Sequence, residues 1–237
     1  MDALDCIRTR RSIRKYTPRA IAMDIVGHIL DAGRMAPTAG NLQNYKVILV
    51  KSKAKRAAIA DACIGQDWMK TAPVHMVLVA EPQRARQFYY ERGEKVYSIM
   101  NIAAIAENMG LAAWALGLGT CLVGAFDELK LQEVLGTPDY VLPYLVLTVG
   151  YPDEKPEIPD RFKLWDMVFL EGWERRIANV GFSTREISPT VAAKVGEVVA
   201  EASEKANSFL DRIRDKTLDA HKRIRKRISD HRAKRKK

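Results

Sequence analysis

The segment from Tyr97 to Leu116 is the feature that most limits how this chain can fold. It is an almost uncharged run of helix-forming residues, and small side chains occur on several sides of the helix that it predicts. These small residues are Ala103, Ala104, Ala106, Gly110, Ala112, Ala113 and Ala115. Gly117 and Gly119 then end the helix. The segment therefore predicts a central helix against which other elements pack closely, and it is a candidate for a helix shared between two subunits.

The same region belongs to the longest apolar stretch of the chain, residues 99–125, yet it does not predict a membrane span. Asn101, Glu107 and Asn108 interrupt it, whereas a transmembrane helix needs about 20 predominantly apolar residues in succession. The first residues of the chain contain acids and no apolar run of signal-peptide length. We therefore expect a buried helix followed by a strand.

The elements around this helix predict an α+β domain that ends near Gly150. Apolar runs predict strands at Val47–Val50, Val74–Ala80, Thr120–Val123 and Tyr144–Val149. Apolar spacing and capping residues predict helices at Met1–Arg10, Ile21–Met35, Lys53–Cys63 and Asp127–Leu135. Glu81–Lys95 has no helix or strand period, so we expect a mobile excursion there, in which Tyr89 and Tyr90 form a lid over a substrate site.

The net charge of +10 is concentrated at the end of the chain. Residues 1–173 carry 21 Lys+Arg and 20 Asp+Glu, a net charge of +1, whereas residues 174–237 carry 18 and 9, a net charge of +9. We therefore expect a folded domain at 1–173 and a separate C-terminal extension at 174–237. Ser188 and Pro189 begin an amphipathic helical pattern in this extension, and from Arg212 onward there are 13 Lys+Arg against 3 Asp+Glu.

Several roles remain open for the basic extension. It could pack on the core or between subunits, contact nucleic acid or an anionic membrane electrostatically, or be a solvated helix. Aromatic residues after Trp173 are limited to Phe182 and Phe209, which argues against base stacking and deep membrane insertion.

The three cysteines are widely spaced and form no metal-binding motif. Cys6, Cys63 and Cys121 have no CxxC pattern and no histidine-rich neighbourhood. This pattern predicts no metal site and fits a reducing cytoplasm. His28 and His75 are expected to be packed or surface histidines rather than ligands.

Near the N-terminus, Arg10, Arg11, Ser12 and Arg14 form a cluster suited to binding a phosphate. Arginine presents a fixed fork of donors that matches phosphate oxygens, and the serine hydroxyl adds a further donor. A solvated basic face or a nucleic-acid contact would also explain such a run. The cluster is therefore a candidate anion site that needs support from other parts of the chain.

Two further strings have the composition of a binding site for a flat ligand. Ala36–Gln43 combines a proline, a glycine and two amides, so its backbone can approach a ligand closely, although turn chemistry alone would explain it. Gly117–Asp127 contains a strand that ends in Gly124 and Ala125, whose N–H groups could donate to the edge of a heteroaromatic ring.

The three strings, in this order and at these separations, resemble the nitroreductase family of flavin-dependent oxidoreductases. The resemblance extends from the first helix to about Trp173 and covers Arg10–Tyr16, Ala36–Gln43 and Gly117–Phe126. It implies a mixed sheet flanked by helices, with the long central helix at the interface of a homodimer and FMN bound at that interface.

The resemblance also implies a role for each residue of the strings. Arg10, Ser12 and Arg14 would hold the phosphate and the pyrimidine side of the flavin, and Arg11 would contribute mainly its backbone. The partner subunit would cover the ribityl chain and the dimethylbenzene region with Pro37, Thr38, Ala39, Gly40, Asn41 and Gln43. One ring face would be lined by Leu122, Val123, Gly124 and Ala125. The N–H of Gly124 would donate to N5, that of Ala125 would donate to O4, and Arg161 and Lys163 would add to the phosphate site.

Two kinds of function follow from the sequence. The first is an enzyme in which FMN accepts electrons from NADH or NADPH and passes them to a nitroaromatic, a quinone or a similar small molecule in ping-pong order. The second is a polyanion- or membrane-associated binding protein whose core has little catalytic activity. Within the first, related flavin reactions such as dehalogenation or flavin breakdown also remain open, and the sequence does not choose between the two nicotinamide donors.

Overall fold

The computed structural model describes residues 2–176, and the amphipathic pattern that begins at Ser188 lies outside them. The chain divides after Pro159 into two units, of which the first is Met1–Pro159. The second begins at Asp160, and its described part contains the short helix Leu164–Met167. The expected boundary at 173 stays a prediction.

The first unit contains six α-helices and four strands. The helices are α1 (Ala3–Thr9), α2 (Met23–Arg34), α3 (Lys53–Ala62), α4 (Pro82–Arg92), α5 (Ser98–Ala115) and α6 (Glu128–Leu135). The strands are β1 (Tyr45–Val50), β2 (Val74–Ala80), β3 (Gly119–Val123) and β4 (Leu142–Gly150). Short 3₁₀ turns cover Ala39–Asn41 and Asp67–Thr71, and a π-helical turn covers Gly93–Tyr97. The predicted α+β class is confirmed.

The four strands form one antiparallel sheet in the order β1-β2-β4-β3. A parallel bridge between Ser12 and Thr120 adds the segment after α1 to the β3 edge. β2 is central, and all seven of its residues are buried, as its continuous apolar run predicts.

Alternate residues of β2 face two different apolar clusters, as expected for the two-residue period of a strand. Met76 and Leu78 pack in a cluster with residues of α2 and α5. Val77 and Val79 pack in a second cluster with residues of α3 and α6. The sheet is therefore covered on both faces, and α5 lies on the face that it shares with α2.

The central helix α5 is confirmed, and its end is fixed as the glycines predict. The N–H of Gly117 donates to Trp114 O at 3.0 Å, and Gly117 has a φ of +78°, a conformation that glycine adopts without steric cost. No helix among the described residues is both long and apolar enough to cross a membrane.

The expectation of an irregular segment at Glu81–Lys95 is wrong. The chain there forms α4 and continues into the π-helical turn. Pro82 occupies the first turn of α4, where its missing N–H costs no intrahelical hydrogen bond. The helix lacks an apolar period because Pro82 and Ala85 are its only buried residues.

Candidate functional site

The segment Arg10–Arg14 lies beside β3, so the first and third strings meet in space. The N–H of Ile13 donates to Thr120 O at 2.9 Å. Gly119 permits this approach, because a Cβ atom added there would lie 2.6 Å from Cγ1 of Ile13. Ile13 is buried, whereas Ser12 is half-buried and Arg14 is exposed. Burial of Ile13 between them therefore leaves Ser12 and Arg14 accessible beside β3.

One nitrogen of the Arg10 guanidinium is hydrogen-bonded to a carboxylate, and another has no hydrogen-bond partner. Its Nη2 lies 3.2 Å from each carboxylate oxygen of Glu107 on α5. Its Nε is buried and has no hydrogen-bond partner among residues 2–176. A buried donor without a partner is costly, so the position favours a ligand that offers an oxygen atom.

The other two arginines of the cluster are arranged differently. Arg11 donates from Nη1 to Arg8 O at 2.8 Å and to Arg10 O at 2.6 Å, so its side chain is hydrogen-bonded to neighbouring backbone carbonyls. The guanidinium carbon of Arg14 lies 6.0 Å from the ring centroid of Trp68, at the outer limit of a cation–π contact. Arg14 therefore remains free to engage an anionic or aromatic ligand.

The backbone directly after β3 presents two exposed amides. β3 ends at Val123, and the N–H groups of Gly124 and Ala125 have no hydrogen-bond partner in the described part of the chain. The space where a Cβ atom of Gly124 would project is empty to at least 4 Å. Unpaired amides beside open space suit a flat ring with acceptor atoms at its edge.

The second string forms a tight turn that is held by α5. Gly40, Asn41 and Gln43 have φ values of +53°, +55° and +48°. Asn41 and Gln43 are not glycines, and Gln43 stabilises the turn by donating from Nε2 to Asn41 Oδ1 at 3.0 Å. The N–H of Ala39 donates to Oδ1 of Asn101, near the start of α5, at 2.9 Å.

The turn and the arginine cluster contact the same helix at different heights. Asn101 and Glu107 are separated by six residues, which corresponds to a rise of about 9 Å along α5. No hydrogen bond or ion pair between described residues joins Ala39–Asn41 to Arg10–Arg14. Among the described residues, hydrogen bonds therefore join the first string to the third but neither of them to the second.

The two tyrosines predicted as a lid differ in their environment. Tyr89 is half-buried, and its ring packs edge-on against Tyr97 with a centroid distance of 5.1 Å. Tyr90 is 82% exposed and has a φ of +52° and a ψ of −146°, a strained conformation for a residue with a side chain. Their role as a lid stays a prediction.

Arg161 and Lys163 lie at the start of the second unit, where Lys163 Nζ is 5.2 Å from the ring centroid of Trp165. Their contribution to a phosphate site stays a prediction.

The three cysteines are free and buried, and burial raises the pKa of each thiol. The pKa of Cys63 reaches about 12. Cys121 lies on β3 beside the site, but the same desolvation outweighs the opposing effect of Arg14 and keeps it a thiol. Among the described residues, no group of histidine, cysteine or acidic side chains is arranged to hold a metal ion.

In the sequence, Asn101 and Glu107 stand out only as interruptions of an apolar run. The structure places both of them against predicted site residues, Asn101 on Ala39 and Glu107 on Arg10. For Asn101 the signal was present in the sequence, because a polar residue inside an otherwise apolar helix needs partners when it is buried, whereas the side chain of Glu107 is 44% exposed.

Comparison with known proteins adds to this geometry. The model of the nitroreductase family matches residues 7–66 and 63–151. Two proteins of Bacillus subtilis, described as FMN reductase (NADPH) and FMN reductase [NAD(P)H], are 30% and 31% identical to this chain over 175 and 176 residues. Each alignment covers 67% of this chain and 70% of the relative.

A solved structure has the same fold. Nitroreductase A of Vibrio parahaemolyticus superposes with a TM-score of 0.68 and is 25% identical in sequence. The superposition covers 73% of this chain and 77% of the other.

Proposed function

Because this chain belongs to the nitroreductase family, we propose that it is an FMN-dependent oxidoreductase that uses NADH or NADPH to reduce nitroaromatics, quinones or similar small acceptors. The single observation that carries the proposal is the meeting of two donor sets at the β3 edge. One is the arginine cluster, with the unpaired Nε of Arg10, and the other is the pair of unpaired amides at Gly124 and Ala125.

The residues present fit FMN. Arg10, Ser12 and Arg14 supply donors for a phosphate and for the polar edge of the ring, while the N–H groups of Gly124 and Ala125 supply donors for N5 and O4. FMN, when bound, supplies the redox chemistry by accepting electrons from the nicotinamide and delivering them to the acceptor. The chain itself binds and orients, so it needs no nucleophile.

The charge of the site supports this role. Reduction of a flavin increases negative charge on the pyrimidine side of the ring, and a nearby cation such as Arg14 favours that state. Arg14 is exposed and its side chain has no ion pair among residues 2–176. The ring of Trp68 lies near it, with its centroid 6.0 Å from the guanidinium carbon.

We infer that the active form is a homodimer in which Pro37–Asn41 and Gln43 of one subunit complete the site of the other. Apolar side chains on two neighbouring helices support this inference. On α5, Ile99 and Met100 are 50% and 60% exposed, and on α1, Leu4 and Ile7 are also exposed. Such side chains would lose contact with water if these helices packed against a second subunit. The lack of any hydrogen bond between the second string and the arginine cluster among residues 2–176 of one subunit points the same way.

The experiment uses the purified full chain. We expect it to be yellow or to bind added FMN, and we expect the flavin absorbance near the visible maximum to bleach under NADH or NADPH without oxygen. Addition of acceptors then restores the colour, and a panel of nitroaromatics, quinones and halogenated aromatics identifies the acceptor class. A folded protein that takes up no FMN would disprove the proposal.

The basic extension supports a second activity, contact with a polyanion. Its 18 Lys+Arg against 9 Asp+Glu attract nucleic acid or an anionic membrane whatever the core does. The buried, reduced cysteines support a reducing cytoplasm as the place of action.

A further inference from the structure

Three polar side chains are buried at the start of α5. Asn44, Ser98 and Asn101 expose 0%, 0% and 3% of their surface. A buried amide or hydroxyl without partners costs free energy, so such a group persists where each polar atom is hydrogen-bonded. This cluster meets that condition, and its hydrogen bonds lead to two parts of the proposed site.

Asn101 connects the cluster to the turn of the second string. Its Oδ1 accepts the N–H of Ala39 at 2.9 Å, and its Nδ2 donates to Oδ1 of Asn44 at 2.9 Å. The carboxamide therefore fixes the position of Ala39, and Asn44 fixes the orientation of the carboxamide.

Asn44 extends the cluster to the chain that carries the predicted lid. Its Nδ2 donates to Ser98 Oγ at 2.9 Å and to Glu81 O, just before α4, at 3.3 Å. Ser98 Oγ in turn donates to Gly93 O at 3.1 Å, in the π-helical turn after α4. The two ends of α4 are thus tied to one buried asparagine.

Tyr89 contacts both the π-helical turn and the turn of the second string. Gly93 packs so tightly under α4 that an added Cβ atom would lie 2.8 Å from Cβ of Tyr89 and 2.3 Å from Ala85 O. The hydroxyl oxygen of Tyr89 lies against Gly40, the neighbour of Ala39. One path from the turn to the lid therefore runs through the asparagines, and the other runs directly through Tyr89.

We propose that Asn101 and Asn44 are positioning residues that hold the Ala39–Asn41 turn and Tyr89 in one joint arrangement. The inference rests on the proposed function, because this turn is the segment proposed to cover FMN. The asparagines do not act on the cofactor themselves. They set FMN affinity through the turn, and they couple that affinity to the state of Tyr89, because a fully bonded buried network permits few alternative arrangements.

The test measures FMN affinity of full-length variants by quenching of FMN fluorescence, at a temperature where circular dichroism shows each variant folded. Asn101→Ala is expected to weaken FMN binding about tenfold, since it removes two buried hydrogen bonds. Asn108→Ala is the matched control, because it removes one hydrogen bond from the same helix, to Ala32 O at 3.2 Å. The control is expected to bind FMN within about twofold of the wild type.

A double-mutant cycle with Tyr89→Phe separates positioning from general destabilisation. If the asparagines and Tyr89 act as one unit, the double variant Asn101→Ala with Tyr89→Phe loses less FMN affinity than the product of the two single losses. Independent effects would overturn the proposal, and so would equal losses for Asn101→Ala and Asn108→Ala.

Ser98→Ala tests the positioning role if Asn101→Ala does not fold. This smaller change removes the hydrogen bond to Gly93 O, and it is expected to weaken FMN binding about threefold. The double variant Ser98→Ala with Tyr89→Phe is expected to lose less FMN affinity than the product of the two single losses. Independent effects of Ser98→Ala and Tyr89→Phe would overturn the proposal. A wild-type protein that binds no FMN would refute the proposed function, whereas FMN binding that is insensitive to these variants would refute the positioning role alone.

Discussion

The hydroxyl oxygen of Tyr89 rests on Gly40, where an added Cβ atom would lie only 1.9 Å from it. Gly40 also has a φ of +53°, in the left-handed region that favours glycine. Two separate properties thus require glycine at this position, a backbone conformation and a contact with the predicted lid. A substitution can distinguish between them.

Gly40→Ala is expected to weaken FMN binding because the methyl group displaces either Tyr89 or the turn. Gly136→Ala is the matched control, since Gly136 has a φ of +69° but no atom within 4 Å of an added Cβ. Gly136→Ala should lose about 1 kcal/mol of unfolding free energy in urea titrations, which is the cost of its backbone conformation, and Gly40→Ala should lose more because its methyl group also collides with Tyr89. Only Gly40→Ala should lose FMN affinity, and equal FMN binding by both variants would contradict the placement of the turn in the site.

Replacing Arg10 and Ser12 together with alanine is expected to weaken FMN binding by at least about 100-fold, since each of the two charge-assisted hydrogen bonds contributes roughly 1.5 kcal/mol or more. Arg8→Ala, an exposed change on α1, serves as the control and should bind FMN normally. Equilibrium dialysis of both proteins measures the difference. Unchanged binding by the double variant would remove the phosphate role from the cluster.

Glu107→Gln tests whether the carboxylate competes with a phosphate for Arg10. Both carboxylate oxygens lie 3.2 Å from Arg10 Nη2, and the pair is partly solvated. Removal of the negative charge should therefore strengthen FMN binding about twofold to fivefold. Weaker binding in the same titration would mean that Glu107 orients Arg10 rather than competes for it.

The regular elements of the core could be predicted because their residues obey a simple period. β2 was predicted at Val74–Ala80 from a continuous apolar run, and it forms over those residues. Asp127 was predicted as a helix cap, and its side chain accepts the N–H of Lys130 at 3.1 Å. In such elements local propensity and tertiary packing agree.

The sequence was less informative where a tertiary contact decides the structure. Gly119 was interpreted as a helix breaker, but its main role is to let Ile13 approach β3. α4 was missed because it buries few of its side chains and so has no apolar period. The partners of Asn101 come from segments more than 50 residues distant, which no local pattern encodes.

His75 is expected to make the protein acid-sensitive. It is buried in β2 with Nε2 2.9 Å from Met69 O, and burial lowers its pKa to about 4. In the unfolded chain the imidazole of His75 takes up a proton near pH 6.5, whereas in the folded chain it takes up the proton only near pH 4. The effect of His75 on the free energy of unfolding is therefore absent above about pH 6.5. As the pH drops to 4, this one group lowers the free energy of unfolding by about 3 kcal/mol.

Urea titrations of His75→Gln between pH 7.5 and 4.5 should show a flatter dependence of unfolding free energy on pH than the wild type. His28→Gln should keep the wild-type dependence, because His28 is exposed on α2. If the two variants behave alike, the acid sensitivity arises from other groups.

Deleting residues 212–237 tests the basic extension apart from the core. The deletion removes 13 Lys+Arg and 3 Asp+Glu, so the net charge falls by 10, from +10 to 0. Binding to DNA, RNA or anionic vesicles should then weaken and lose its dependence on salt, because the slope of log K against log salt is about −0.9 for each phosphate contacted on duplex DNA. FMN affinity should stay unchanged, since the residues proposed to bind it precede the deletion.

A full-length variant with these lysines and arginines changed to glutamine keeps the chain length and should behave like the deletion. Salt-dependent binding that survives in both proteins would show that the extension is not the polyanion contact.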